Sequence, residues 1–181
     1  ELPSQLYEHW ALEPEVLDKH ARHYKTGDAM PQSLRERIED ARLFNKGFET
    51  VQYTSSALVD MAAHALASYE GFDLVAFEKA ELARLGMPHA IPMMHRLTHF
   101  RHLFSGTDYA AGYYVYMWAE VLDADAYDAF VEAGNPFDAA TAERLKRFVY
   151  SAGNTVEPKD GYAAFRGRAA SVEPMLKKRG L

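Results

Sequence analysis

The chain has 181 residues, which suits one domain or a large piece of one. With 48% hydrophobic residues it can bury a core instead of staying disordered. Its net charge of −6 and lack of a long basic run argue against nucleic-acid binding, no apolar run is long enough to span a bilayer, and the absence of cysteine excludes disulfides and thiolate metal sites.

In chain order, Pro3-Ser4 can open a short helix that runs to Trp10. Pro14 opens a second, carrying Val16, Leu17, His20 and Tyr24. Residues 25–31 read as a loop punctuated by Gly27 and Pro31, and a third helix follows with Leu34, Ile38 and Ala41 on one face. From Asn45 to about Ser68 the chain reads as a long helix, nearly apolar all round at its centre and therefore buried. Another helix is expected from Asp73 to Leu85, with Gly86 as its stop.

Pro88 and Pro92 oppose regular structure, and Ser105 to Asp108 read as a mobile loop. A helix from Tyr109 to Phe130 is predicted next. Asp138 can cap a helix from Ala139 to Tyr150, and two short helices lead to the C-terminus. No period-2 strand pattern of useful length occurs, so the fold class is all-α, a single helical segment over residues 1–181.

Two groups of side chains could carry chemistry. Tyr109, Tyr113 and Tyr116 stand at i, i+4 and i+7, which on a helix places three phenols within a sector of roughly 60°. They are either core rings with tethered hydroxyls or donors that meet a ligand. A phenol near a reacting carbonyl can stabilise the oxyanion that forms. His95, His99 and His102 have the same spacing, and three imidazoles on one helical face could bind a transition metal. His20 and His23 are a weaker pair, and no H-E-x-x-H occurs anywhere.

Three segments, "ELPSQLYEHW", "LFNKGFETVQYTSSALVDMAAH" and "HFRHLFSGTDYAAGYYVYMWAEVLDADAYDAF", together with the ending "FRGRAASVEPMLKKRGL", resemble the C-terminal part of the thimet-oligopeptidase-like zinc metallopeptidases. The branch they are most similar to is the bacterial peptidyl-dipeptidases, or dipeptidyl carboxypeptidases. The resemblance covers nearly the whole chain and implies the helical C-terminal portion of a zincin-type catalytic domain.

It also implies roles. Glu1, which precedes x-P-S-Q, corresponds to the third zinc ligand. His102 matches a histidine that binds substrate and helps stabilise the transition state. Tyr109, Tyr113 and Tyr116 match tyrosines that contact the substrate backbone, with Tyr116 the first choice as oxyanion donor. The loop at Ser105, Gly106, Thr107 and Asp108 is poorer in glycine than the family's.

The implied cofactor is one zinc ion and the implied substrates are short peptides. The two zinc-binding histidines and the water-activating glutamate are not in this sequence. The chain starts at Glu1 without methionine or a signal-like stretch, so a missing N-terminal part of the same protein is expected to supply them. Alone, the segment is expected to be inactive. The expected compartment is the cytoplasm, with the periplasm as the alternative. A rival reading is a free-standing helical binding or scaffold module without catalysis.

Overall fold

The structure, a computed structural model, describes all 181 residues. Its elements in chain order are α1 (Leu2–Ala11), α2 (Pro14–His20), α3 (Gln32–Ala41), α4 (Lys46–His64), α5 (Leu74–Arg84), α6 (Arg101–Phe104), α7 (Val115–Glu132), α8 (Ala139–Leu145), a π-helical turn (Lys146–Tyr150), α9 (Pro158–Arg166) and α10 (Glu173–Lys178). The fold is all-α, and its one extended pairing is an isolated antiparallel bridge between Arg22 and Ala29. No helix is long and apolar enough to cross a membrane. Two compact units divide the chain: Glu1–Phe44 with Met117–Leu181, and Asn45–Tyr116.

In the first unit, proline sits in the first turn of α1, α2, α9 and α10, where its missing N–H costs nothing. Asp138 caps α8 by accepting from the Thr141 amide at 2.7 Å. Leu6, Phe130, Leu145, Tyr162 and Phe165 form the apolar core, with Trp10 and Tyr127 packed against it. Gly161 lies where α9 crosses the π turn, and a Cβ there would stand 2.6 Å from the Phe148 carbonyl oxygen.

Buried carboxylates on α7 anchor the C-terminal stretch. Asp125, fully buried, accepts from the Tyr162 hydroxyl at 2.8 Å, Arg168 at 2.6 Å and Arg166 at 3.3 Å. Asp123 pairs with His9 at 2.5 Å and Lys178 at 3.3 Å. Glu120 takes the Arg179 guanidinium.

In the second unit, Val59 of α4 packs with Met93, Leu97, Phe100, Leu103 and Tyr113. Asp73 caps α5 through the Ala76 amide at 2.9 Å, and Gly86 follows the helix at a φ of 68°. Glu78 of α5 is buried and holds the irregular segment after it. It accepts from the Leu97 amide at 3.0 Å and from Arg96 at 2.5 Å.

Several boundaries differ from the sequence expectations. The second helix stops at His20, so Tyr24 lies in a turn, where it is exposed. The helix expected to reach Ser68 ends at His64, and the Tyr69 hydroxyl takes up the Ala63 carbonyl at 3.0 Å. Its centre is not apolar all round in use: Ser55, Ser56 and Asp60 face inward while Leu58 and Met61 are exposed. The helix expected from Ala139 to Tyr150 is α-helical only to Leu145 and then widens into the π turn.

Candidate active site

The tyrosine segment departs most from expectation. Residues 108–114 are turns, and the helix begins only at Val115. Ala111 takes the left-handed conformation at φ 56°, which breaks an α-helix. Asp60 of α4 accounts for this turn: its carboxylate accepts from the amides of Ala111 at 3.0 Å and Tyr113 at 2.9 Å. In a helix those amides would serve carbonyls four residues back. The Tyr53 hydroxyl also donates to the Tyr113 carbonyl at 2.5 Å.

The turn nevertheless gathers the expected residues. The His102 ring, carried on α6, meets Tyr109 and Tyr113 edge-on at 5.7 Å each and Tyr116 at 6.2 Å. Tyr109 and Tyr116 stack at 5.7 Å, and Tyr113 stands edge-on to Tyr116 at 5.2 Å. Such aromatic pairs are worth about 0.5–1.5 kcal/mol each beyond area burial. His102 is exposed, Tyr109 and Tyr116 are half-buried, and the Tyr113 ring is buried.

Phe100 and His95 back the group. Phe100 lies edge-on to Tyr113 at 4.6 Å, and His95 stacks on Phe100 at 4.7 Å. Sequence reasoning missed Phe100 and Asp60; a lone carboxylate inside the apolar run of α4 was the signal for the second. The three-histidine metal face does not form. His95 lies in a bend, His99 in a turn and His102 on α6, because a helix spanning all three never develops after Pro92.

Burial pushes the Tyr113 phenol up to about 12, with the Tyr53 and Tyr116 phenols adding to the shift. It therefore stays a neutral donor through the physiological range. Burial lowers His95, and the neighbouring His102 lowers it further.

Glu1 stands in the first unit as the N-cap residue of α1. Its carbonyl accepts from the Gln5 amide at 3.0 Å and the Ser4 hydroxyl at 2.8 Å, and that hydroxyl lies 3.4 Å from the carboxylate. The residue is exposed. A carboxylate is a donor that zinc accepts, but no group of three or more His, Asp or Glu side chains is arranged to hold a metal ion. Glu1 fits such an ion as one ligand, and this chain does not supply a complete set.

The profile of peptidase family M3 matches residues 1–181. The chain belongs to peptidase family M3. This M3 chain is 42% identical to dipeptidyl carboxypeptidase of Escherichia coli (strain K12), over all of its own length and 27% of that protein. It is 35% identical to oligopeptidase A of the same organism, again over its whole length and 26% of the relative. Probable cytosolic oligopeptidase A of Arabidopsis thaliana is 34% identical, with 26% of that protein covered. The chain thus spans about a quarter of the length of these M3 relatives.

Proposed function

We propose that the chain forms the C-terminal part of a zinc-dependent oligopeptidase of the peptidyl-dipeptidase type and supplies one wall of its active site. The convergence of Tyr109, Tyr113 and Tyr116 on His102 carries this reading, together with family membership.

In the proposal Glu1 is one zinc ligand, and two histidines and a glutamate from the rest of the protein complete the site. Zinc, when bound, polarises the scissile carbonyl and acidifies a water molecule. The residues of this chain do the remaining work. Tyr116 donates its phenolic proton in a hydrogen bond to the oxygen that gains charge, as a preorganised donor beside a developing oxyanion. Tyr109 and Tyr113 bind the substrate backbone. His102, exposed at the edge of their rings, holds the peptide and reaches the same developing charge.

Neutral phenols suit this task because they donate without competing with the carboxylate for the metal. Short peptides are the proposed substrates, as the names of the oligopeptidase relatives imply for those proteins. The proposed compartment is the cytoplasm, which the name of the Arabidopsis thaliana relative states for that protein; cell fractionation separates it from the periplasm.

The test uses the longer protein that carries this chain. It is expected to cleave a blocked oligopeptide, to lose that activity to a chelator and to regain it with zinc. Glu1→Gln is expected to lower the retained zinc while leaving the circular dichroism spectrum unchanged. Full zinc retention by Glu1→Gln would overturn the ligand assignment, and failure to cleave any peptide would overturn the peptidase reading.

A further inference from the structure

Asp60 stands in the run Ala57-Leu58-Val59-Asp60-Met61-Ala62-Ala63 of α4 and is fully buried. Burying a carboxylate costs several kcal/mol unless its lone pairs are taken up. Here two amide donors, those of Ala111 and Tyr113, converge on it, and the His64 Nδ1 lies 2.8 Å from the carboxylate and 3.0 Å from the Asp60 main-chain carbonyl. The two amides flank Gly112 and adjoin Ala111 at φ 56°, a conformation that costs a non-glycine residue about 1–2 kcal/mol. The His64 ring in turn stacks on Phe104 at 5.9 Å, and Phe104 belongs to α6, which carries His102. One carboxylate and its histidine therefore touch both supports of the cluster: the turn that bears Tyr109 and Tyr113, and the helix that bears His102.

We propose that Asp60 is a positioning residue for peptide hydrolysis, acting through Tyr113: it clamps the turn in its strained form so that the tyrosine rings meet His102. This rests on the peptidase reading above. Asp60 reaches substrate only through the residues it holds. Its removal loosens the geometry of the donors without removing any donor.

The experiment compares Asp60→Asn, Tyr113→Phe and the double variant in the longer protein, with amide hydrogen exchange measured in parallel. Asp60→Asn keeps the shape but sets an N–H₂ group against one of the two amide donors. It is expected to lower kcat by about 10–10²-fold, as for a misplaced contact, with little change in KM. The double variant is expected to be hardly slower than Asp60→Asn alone, because both changes act on one unit. Exchange at Ala111 and Tyr113 is expected to speed up while the amides of α5 keep their protection.

His64→Phe retains the ring against Phe104 and serves if Asp60→Asn does not fold; a smaller fall in kcat in the same direction is expected. Multiplying effects in the double variant, or unchanged exchange at residues 111 and 113, would overturn the proposal. Should the wild-type protein cleave no peptide, the functional reading fails, and the exchange measurement still decides whether the clamp exists.

Discussion

Tyr109 and Tyr116 stack with ring centroids 5.7 Å apart and planes within 8° of parallel, although the first lies in a turn and the second in a helix. Seven residues along a regular helix rise about 10 Å, too far for this contact. The left-handed residue Ala111 interrupts that regular rise. It makes a row of phenols into a group around His102. The spacing in the sequence pointed to a shared face, and the structure reaches that face by a different backbone.

Tyr116→Phe in the longer protein is expected to lower kcat by about 10²–10³-fold with a smaller change in KM, the loss typical of one oxyanion donor. Steady-state kinetics on a blocked oligopeptide measure both constants. Unaltered kcat would leave Tyr116 as packing material for Tyr109 and Tyr113.

The isolated 181-residue chain is expected to show no turnover with zinc added and to lose zinc on dialysis. The reason is the donor set: no three His, Asp or Glu side chains are arranged around a common point. Metal analysis after dialysis and a peptide assay check this. One equivalent of zinc retained would show that a site exists in the chain by itself.

Some of this was legible and some was not, for physical reasons. Proline at helix starts, Asp138 at its N-cap and Gly86 after α5 are local devices, and they marked their helices correctly. The helix from Tyr109 failed because Asp60, some fifty residues upstream, competes for the same amides. No window around residue 111 contains that carboxylate. The inward face of α4 was misread in part for the same reason: Asp60 turns inward to meet these distant amides, whereas Ser55 and Ser56 turn inward with their hydroxyls satisfied inside the helix by the Gln52 carbonyl. His102 and the three tyrosines stood out by their spacing, the family resemblance supplied their expected roles, and their ring contacts are tertiary.

Alkaline titration gives an independent reading of the cluster. The Tyr113 phenol is raised to about 12 from an ordinary value of 10.0, with burial the chief cause. Below 10 the folded and unfolded chains both keep this proton. Between 10 and about 12 the unfolded chain releases it and the folded chain does not, so this contribution to stability falls as pH rises. The loss approaches about 2 kcal/mol at the top of that window. Tyr113→Phe is expected to flatten this part of the stability curve and to remove one late phase of phenolate absorbance. An unchanged late phase would place the Tyr113 hydroxyl in open water.

Asp125→Ala is expected to destabilise the first unit by about 3–5 kcal/mol, because it leaves buried donors without their acceptor. Arg166 has a side chain only 3% exposed and keeps just its pairing with Glu132, while Tyr162 loses its carboxylate partner. Asp125→Asn retains an oxygen for the Tyr162 hydroxyl and is expected to lose less. Urea unfolding measures both. A cost below about 1 kcal/mol for the alanine variant would mean that water replaces the carboxylate easily.

Two glycine substitutions are expected to move stability in opposite directions. At Gly161 an added Cβ meets the Phe148 carbonyl oxygen at 2.6 Å, and that oxygen is backbone on the π turn, so α9 itself must move. Gly161→Ala is expected to cost about 1–3 kcal/mol, the range for overpacking a tight contact. Gly47, in the first turn of α4, meets nothing within 4 Å, and its φ is not positive. Gly47→Ala is therefore expected to gain about 0.5–1 kcal/mol, since alanine loses less backbone freedom in a helix. Thermal melts of the two variants side by side check the pair. If Gly161→Ala proved neutral, α9 and the π turn would have to be separated by more than van der Waals contact, and the widened turn would have no role in seating that helix.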